Sequence, residues 1–170
     1  DDDPNYVPAY ARRASVNNHN WYGMVSNLNI DNGGPFTYNI GFDGRTYTGD
    51  HFRQLTHMFG LNGWNDNGNL ITQTFDANPW AALSNYAEEG QRIAYDYSET
   101  INYIGGFAQA EYASDYLSAF LQGSVSNQSY QRDGGNVAGD AGLSEKVSKS
   151  GYNLKGGFDQ WVFDGKEVHY

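Results

Sequence analysis

Two histidines, His51 and His57, lie six residues apart in "HFRQLTHMF". Imidazoles that share a metal on a helix stand at i and i+4; a spacing of six puts them on different faces, so they read as surface-loop histidines. "NDNGN" (65–69) and the "DDD" at 1–3 offer the oxygen donors a hard cation takes. They lack the ligand spacing of an EF-hand loop. "QGSVS" (122–126) does not match G-x-S-x-G, and its Ser124 falls inside an alternating stretch, away from a strand-to-helix turn. Glu88 and Glu89 are adjacent, so their side chains diverge. With no nucleophile beside a base and no phosphate loop, we expect no catalysis, no metal and no cofactor. Recognition chemistry is what the sequence offers. Trp64, Trp80 and Tyr86, with Asn62 and Asn65, supply aromatic platforms and amide donors in one long connection. Such groups suit sugars or aromatic chelates.

The elements that must carry this connection show period-two patterning. In "FTYNIGFDGRTYTG" (36–49), Phe36, Tyr38, Ile40 and Phe42 form one face, and Thr37, Asn39, Gly41, Asp43 and Arg45 the other. Asp43 and Arg45 are placed to pair. Further strands are expected at 20–30, 102–112, 117–132 and 150–163, with a sixth opening at Val168 and Tyr170 as the chain ends. Leu121 and Val125 join the apolar faces; Gln109, Glu111, Gln122 and Lys155 join the polar ones. Two short helices are expected in the connection at 50–100. One runs through "HFRQLTHMF" with Asp50 as cap and Gly60 as stop, and one follows Asn78 and Pro79. The fold class is therefore all-β, an antiparallel up-and-down meander with short helices in a long surface loop.

Composition narrows the class. The chain has 170 residues and a net charge of −10, which disfavours nucleic acid as a partner. It has no cysteine, 16% aromatic residues and 21 glycines, the profile of strands and turns. No apolar run reaches the roughly 18 residues of a membrane helix. The expected strands run from about 10 to 16 residues, whereas soluble sheets average about 5 to 6 and a tilted barrel strand needs about 9 to 11 to cross a bilayer. Short turns (31–34, 113–116, 163–166) alternate with long loops (1–18, 50–100, 133–148). In a meander this places all short turns at one end, the asymmetry of outer-membrane barrels. Aromatics gather near the strand ends (Trp21, Tyr22, Tyr47, Tyr112, Tyr116, Trp161), as interfacial girdles do. The same alternation also describes a soluble β-sandwich or a lipocalin-like barrel. The opening "DDDPNYVPAY" has neither initiator Met nor an apolar signal region, and the end breaks off in a fresh alternation. We read 1–170 as part of something larger.

"HNWYG" (19–23), "GFDGRTYTGDHFR" (41–53), "QRIAYDYSETINY" (91–103), "GGFAQAEY" (105–112), "LSAFLQGSVSNQSYQR" (117–132) and "YNLKGG" (152–157) resemble the barrel of TonB-dependent outer-membrane receptors of the Bacteroidota type. The resemblance implies a receptor whose barrel of about 22 strands closes around an N-terminal plug. Residues 1–170 would be a partial β-barrel segment of five strands and the start of a sixth, with the plug domain absent from it. Such a receptor takes up a nutrient ligand (siderophore, vitamin or glycan) across the cell outer membrane. Its implied partners are outer-membrane lipid, the rest of its own barrel and plug, TonB acting through that plug, and a surface lipoprotein over the loops. On this reading Phe36, Tyr38, Ile40, Phe42, Leu121 and Val125 face lipid. Asn39, Asp43, Arg45, Gln109, Glu111, Gln122 and Lys155 face the lumen, where Asp43 and Arg45 could instead contact the plug. The rival is a soluble secreted β-domain that binds carbohydrate through exposed aromatics. A third reading is a barrel segment with a purely structural role. Receptor and soluble domain differ in whether Phe36, Tyr38, Ile40 and Phe42 meet lipid or protein.

Overall fold

The computed structural model describes residues 9–135 and 142–160. It is all-β, with strands β1 (Arg12–Asp31), β2 (Phe36–His57), β3 (Trp64–Asp66), β4 (Asn69–Ile71), β5 (Asp96–Ala113), β6 (Leu117–Gly135) and β7 (Val147–Gln160). One four-residue helix, α1 (Pro79–Ala82), interrupts them. The main sheet is antiparallel and up-and-down, in the order β1-β2-β5-β6-β7; β3 and β4 form a separate hairpin. The β1–β2 turn closes through Asp31 Oδ1, which accepts the Gly33 N–H at 2.9 Å, with Gly33 at φ 71°. This is an Asx-turn that only a residue tolerant of positive φ completes without strain. In the β5–β6 turn the Ser114 backbone N–H donates to the Leu117 carbonyl at 2.9 Å. The β6–β7 register pairs Leu121 with Gly156, Gln122 with Lys155 and Val125 with Tyr152.

Several expected boundaries change. Residues 51–59 are not a helix, because β2 continues to His57. Phe52 and Leu55 sit at helical spacing, yet they go to two different clusters. Phe52 joins Phe75 and Ala87, and Leu55 joins Met58, Ile71 and Ile93. A strand end covered on both faces reads as a continuous apolar run, which periodicity cannot tell from a short helix. The second helix exists but is only α1. Asn78 caps it as expected, Oδ1 accepting the Trp80 N–H at 3.0 Å. It stops after one turn because Tyr86 and Ala87 are drawn onto Phe52. β1 starts at Arg12 within the stretch expected to be loop, and β5 starts at Asp96. The sixth strand, the 163–166 turn, Trp161 and the N-terminal aspartates lie outside the described residues.

The chain divides into two compact units. The first comprises residues up to 20, 47–100 and 131–146; the second comprises 21–46, 101–130 and the remainder from 147. All the buried hydrophobic residues among those described belong to the first unit: Tyr47, Phe52, Leu55, Met58, Ile71, Phe75, Ala87 and Ile93. The second unit is patterned the other way round. Phe36, Ile40, Leu121 and Val125 are 47%, 49%, 57% and 68% exposed, while Thr37 and Asn39 between them are half-buried and Gly41 is buried. An apolar face this extensive, left bare on adjacent strands, marks a surface that meets something other than water.

Candidate functional site

The aromatic and amide residues of the long connection do not converge. Trp64, on β3, packs against the Leu55, Met58, Ile71 and Ile93 cluster, with its Nε1 buried and unpartnered. Asn65 Oδ1 accepts the Gly68 N–H at 2.8 Å and closes the β3–β4 turn, where Asn67 and Gly68 stand at φ 51° and 91°. Tyr86 meets the Phe52 ring edge-on, centroids 6.3 Å apart. Trp80, on α1, is 83% exposed, and Asn62 is exposed in the approach to β3. Of the five, Trp64 and Tyr86 fill two different clusters, and Asn65 builds a turn. The oxygens of "NDNGN" are committed in the same way: Asp66 Oδ2 accepts the Ala94 N–H at 2.9 Å. The Asn69 side-chain amide donates to the Gly90 carbonyl.

A cluster that the loop reading missed gathers in the first unit from β1, β2, β5 and β6. His19 Nδ1 and the Tyr47 hydroxyl are 2.6 Å apart, with the rings stacked at 5.6 Å. His51, expected in a loop, lies on β2 instead. Its ring stacks on Tyr97 at 4.9 Å and meets His19 edge-on at 5.5 Å. His51 Nδ1 is 2.7 Å from Asn17 Oδ1. Its Nε2 lies 3.4 Å from Glu99 Oε1, within ion-pair range but without a well-formed hydrogen bond. Gly49 makes room for both neighbours, since a Cβ there would lie 2.9 Å from His51 Nε2 and 3.0 Å from Tyr47 Cζ. Burial, with Glu99 and Asp50 adding repulsion, pushes the Tyr47 phenol above its ordinary value, so the hydroxyl keeps its proton beside His19. Arg53 stands over the Tyr95 ring at 4.9 Å and Arg132 over Tyr97 at 4.0 Å. The signal in the sequence was the i, i+2 series Tyr47, Gly49, His51, Arg53, obscured by reading 51–59 as a helix.

In the second unit the expected Asp43–Arg45 pair forms and is bidentate, with Nη2–Oδ2 at 2.6 Å and Nε–Oδ1 at 2.9 Å. Arg45 also lies 5.9 Å from the centre of the Tyr103 ring. Such an exposed pair contributes about 0–1 kcal/mol, so its geometry matters more than its energy. Gln109 donates to Glu111, and Asn39 Oδ1 is buried without a partner. Gln122 and Lys155 stand opposite one another across β6 and β7. Thr37, Gln109, Glu111, Phe120, Gln122 and Asp159 line an open groove of about 760 Å³. The alternate positions carry Phe36, Tyr38, Ile40, Phe42, Leu121 and Val125. At one end of these apolar rows the Phe36 and Tyr112 rings touch at 5.0 Å. At the other, side chains hydrogen-bond across strands. Thr46 Oγ1 donates to Asn102 Oδ1 at 2.8 Å, Asn127 Nδ2 to Ser150 Oγ at 3.0 Å, and Ser148 Oγ to Asn127 Oδ1 at 3.1 Å. Neither a scan against protein-family models nor a search of curated proteins finds a match to this chain.

Proposed function

We propose that this chain is a piece of the wall of a transmembrane β-barrel, belonging to a TonB-dependent outer-membrane receptor that takes up a nutrient ligand. The observation that carries the reading is the exposed apolar band of the second unit, with an aromatic contact at one end and polar cross-strand pairs at the other. From Tyr112 to Ile104 the band covers eight rises of about 3.4 Å, or about 27 Å along the strand. Tilted by about 40°, that gives a height of about 20 Å, close to the roughly 25 Å apolar belt of outer-membrane barrels. Each large apolar side chain left in water forgoes about 1.5–3 kcal/mol of burial, and lipid contact recovers it for the whole band. The stretches 21–31, 36–46, 101–113, 117–130 and 147–160 would then span the bilayer.

On this reading the Asn39, Asp43, Arg45, Gln109, Glu111, Gln122 and Lys155 face lines the lumen. The His19, Tyr47, His51 and Tyr97 cluster belongs to the same unit as the long connection at 58–95, and in the receptor reading such long connections meet the incoming ligand. Five strands cannot enclose such a lumen, so uptake belongs to the complete receptor with its plug and the energy supplied through TonB. The test is to extract cell envelopes containing the native polypeptide with and without detergent, then to compare unboiled and boiled samples on SDS gels. A detergent requirement together with a heat-shifted band is expected. Release into plain buffer with no shift would overturn the reading in favour of a soluble β-domain that binds carbohydrate through exposed aromatics such as Trp80.

A further inference from the structure

We infer that His51 is a pH-operated clasp across β1, β2 and β5: on gaining a proton at Nε2 it ties Asn17 on one side to Glu99 on the other. The inference goes beyond the receptor reading and does not depend on what the apolar band meets. Asn17, His51 and Glu99 lie on three neighbouring strands of the sheet, with β2 in the middle. His51 Nδ1 is 2.7 Å from Asn17 Oδ1, and an amide oxygen only accepts, so Nδ1 carries the proton of the neutral ring. Nε2 is then an acceptor with nothing to accept: it is buried and has no hydrogen-bond partner among the described residues. Glu99 Oε1, 3.4 Å away, is a second acceptor and cannot satisfy it. A buried acceptor left in this state is costly. A proton on Nε2 turns the mismatch into a charge-assisted hydrogen bond once Glu99 moves in to the roughly 2.8 Å typical of such bonds. With 40% of its side chain exposed, Glu99 is not locked against that movement. An atom closed to water also leaves no space for a hydrated metal ion, whereas a proton needs none.

The groups around the ring decide whether the added charge is tolerated. From β1 His19 meets the ring edge-on at 5.5 Å, and from β5 Tyr97 stacks on it at 4.9 Å. On β2 itself stand Tyr47, which keeps its proton, Asp50 and Arg53. From β6 Arg132 lies over the Tyr97 ring at 4.0 Å. Arg53 and Arg132 oppose a further positive charge; Glu99 and Asp50 favour it. Glu99 is in direct contact, and the His51 side chain is only 14% exposed, so the attraction is weakly screened. It outweighs Arg53, about 6–7 Å along the strand, and Arg132, whose ring contact is with Tyr97. The clasp sits at the base of the long connection. β2 leads into residues 58–95 and β5 leads out of them, so a tie between His51 and Glu99 holds the two strands together where the connection begins and ends. The tied state takes up a proton, so it gains strength as pH falls. Histidine side chains change charge between about pH 5 and 8, so mild acid closes the clasp and mild alkali opens it.

The test uses the native polypeptide, in detergent or in buffer according to how it leaves the envelope. Amide hydrogen exchange is read by mass spectrometry on peptides from 47–57 and 96–103, and each variant is compared with wild type at the same pH, at 5.5 and at 8.0. His51→Phe keeps a ring for Tyr97 to stack on and cannot make the tie. Its amides should exchange faster than those of wild type, and the gap should widen about tenfold between pH 8.0 and 5.5. Glu99→Gln should respond in the opposite sense. Its amide can donate to the bare Nε2, so the tie persists at both pH values and exchange at pH 8.0 is slower than in wild type. His19→Gln should keep the pH dependence of wild type. A His51→Phe gap of the same size at both pH values would overturn the inference, as would a pH dependence lost with His19→Gln. Glu99→Gln exchange no slower than wild type at pH 8.0 would remove Glu99 as the partner and overturn it too. The heat-shifted gel band, read on the same preparation, reports separately whether the barrel reading holds.

Discussion

The ring of Phe107 fills the space above Gly41: a Cβ added to Gly41 would lie 2.6 Å from Phe107 Cζ. The two residues sit on β2 and β5, neighbours in the sheet, and the aromatic ring covers a backbone that would otherwise be bare. Gly41→Ala is expected to destabilise the protein by about 1–3 kcal/mol, because the ring must leave its place. Adding Phe107→Ala to that variant should recover part of the loss. Denaturant unfolding of the four members of the double-mutant cycle measures the coupling, and strict additivity would show that the two do not interlock.

The polar edge of the apolar band predicts a dependence on depth. Leu121→Arg lies within the band and should cost roughly 2–4 kcal/mol if lipid covers it, whereas Asn127→Arg, at the polar edge, should cost about 0–1 kcal/mol. Refolding equilibria into lipid vesicles give both numbers. Equal tolerance of arginine at the two positions would mean that this face does not meet a bilayer.

Phe59 has a left-handed backbone, φ 50°, and a ring that is 62% exposed. It is held by the bond from its N–H to His57 Nδ1 at 2.9 Å and by ring contact with His57 at 4.3 Å. A bulky residue in this conformation costs about 1–3 kcal/mol that glycine would not. Phe59→Gly should therefore raise stability, by about 1 kcal/mol once the lost ring contact is counted. A lower unfolding midpoint for the variant would show that the His57 contact outweighs the strain.

Tyr47 makes the protein sensitive to alkali. Its phenol is raised above the ordinary 10.0 chiefly by burial. The folded state therefore binds this proton more tightly than the unfolded state does. The associated stability is complete below pH 10 and is lost as pH rises through the folded-state value. Tyr47→Phe, which has no phenol to ionise, should show a flatter decline above pH 10. Unfolding midpoints between pH 8 and 11.5 for both proteins test this, and identical curves would contradict it.

The alternation of Phe36 to Phe42 against Thr37 to Arg45 was legible in the sequence because period two needs no tertiary information, and the same reading placed a strand within each of the five long ones, though with different bounds. The Asp43–Arg45 pair was legible for the same reason, since i and i+2 on a strand share a face. The end of β2 was not legible. Phe52 and Leu55 acquire different partners only after residues 58–95 fold back, and nothing local distinguishes that outcome from one helical face. The loop candidates misled because an aromatic in a connection is a platform only if the connection leaves it uncovered. Trp64 and Tyr86 are instead spent on packing. The histidine and tyrosine cluster joins residues as distant as His19 and Arg132, and only strand order and register bring such residues together.

Residues 58–95 are the one long detour between sheet neighbours β2 and β5, and closing a flexible loop of that length costs on the order of 3 kcal/mol. The detour is not slack. Leu55 O accepts the Phe75 N–H at 2.9 Å, Arg53 O accepts the Ile93 N–H at 2.9 Å, and Tyr95 O accepts the Arg53 N–H at 3.3 Å. Both arms of the detour are thus strapped to β2 before β5 begins. The loop works as a hinge pin: it delivers β5 to its neighbour already in register at Arg53 and Tyr95. Pairing can then run like a zipper from that end toward the β1–β2 turn, so cutting the loop would threaten the order in which the sheet assembles.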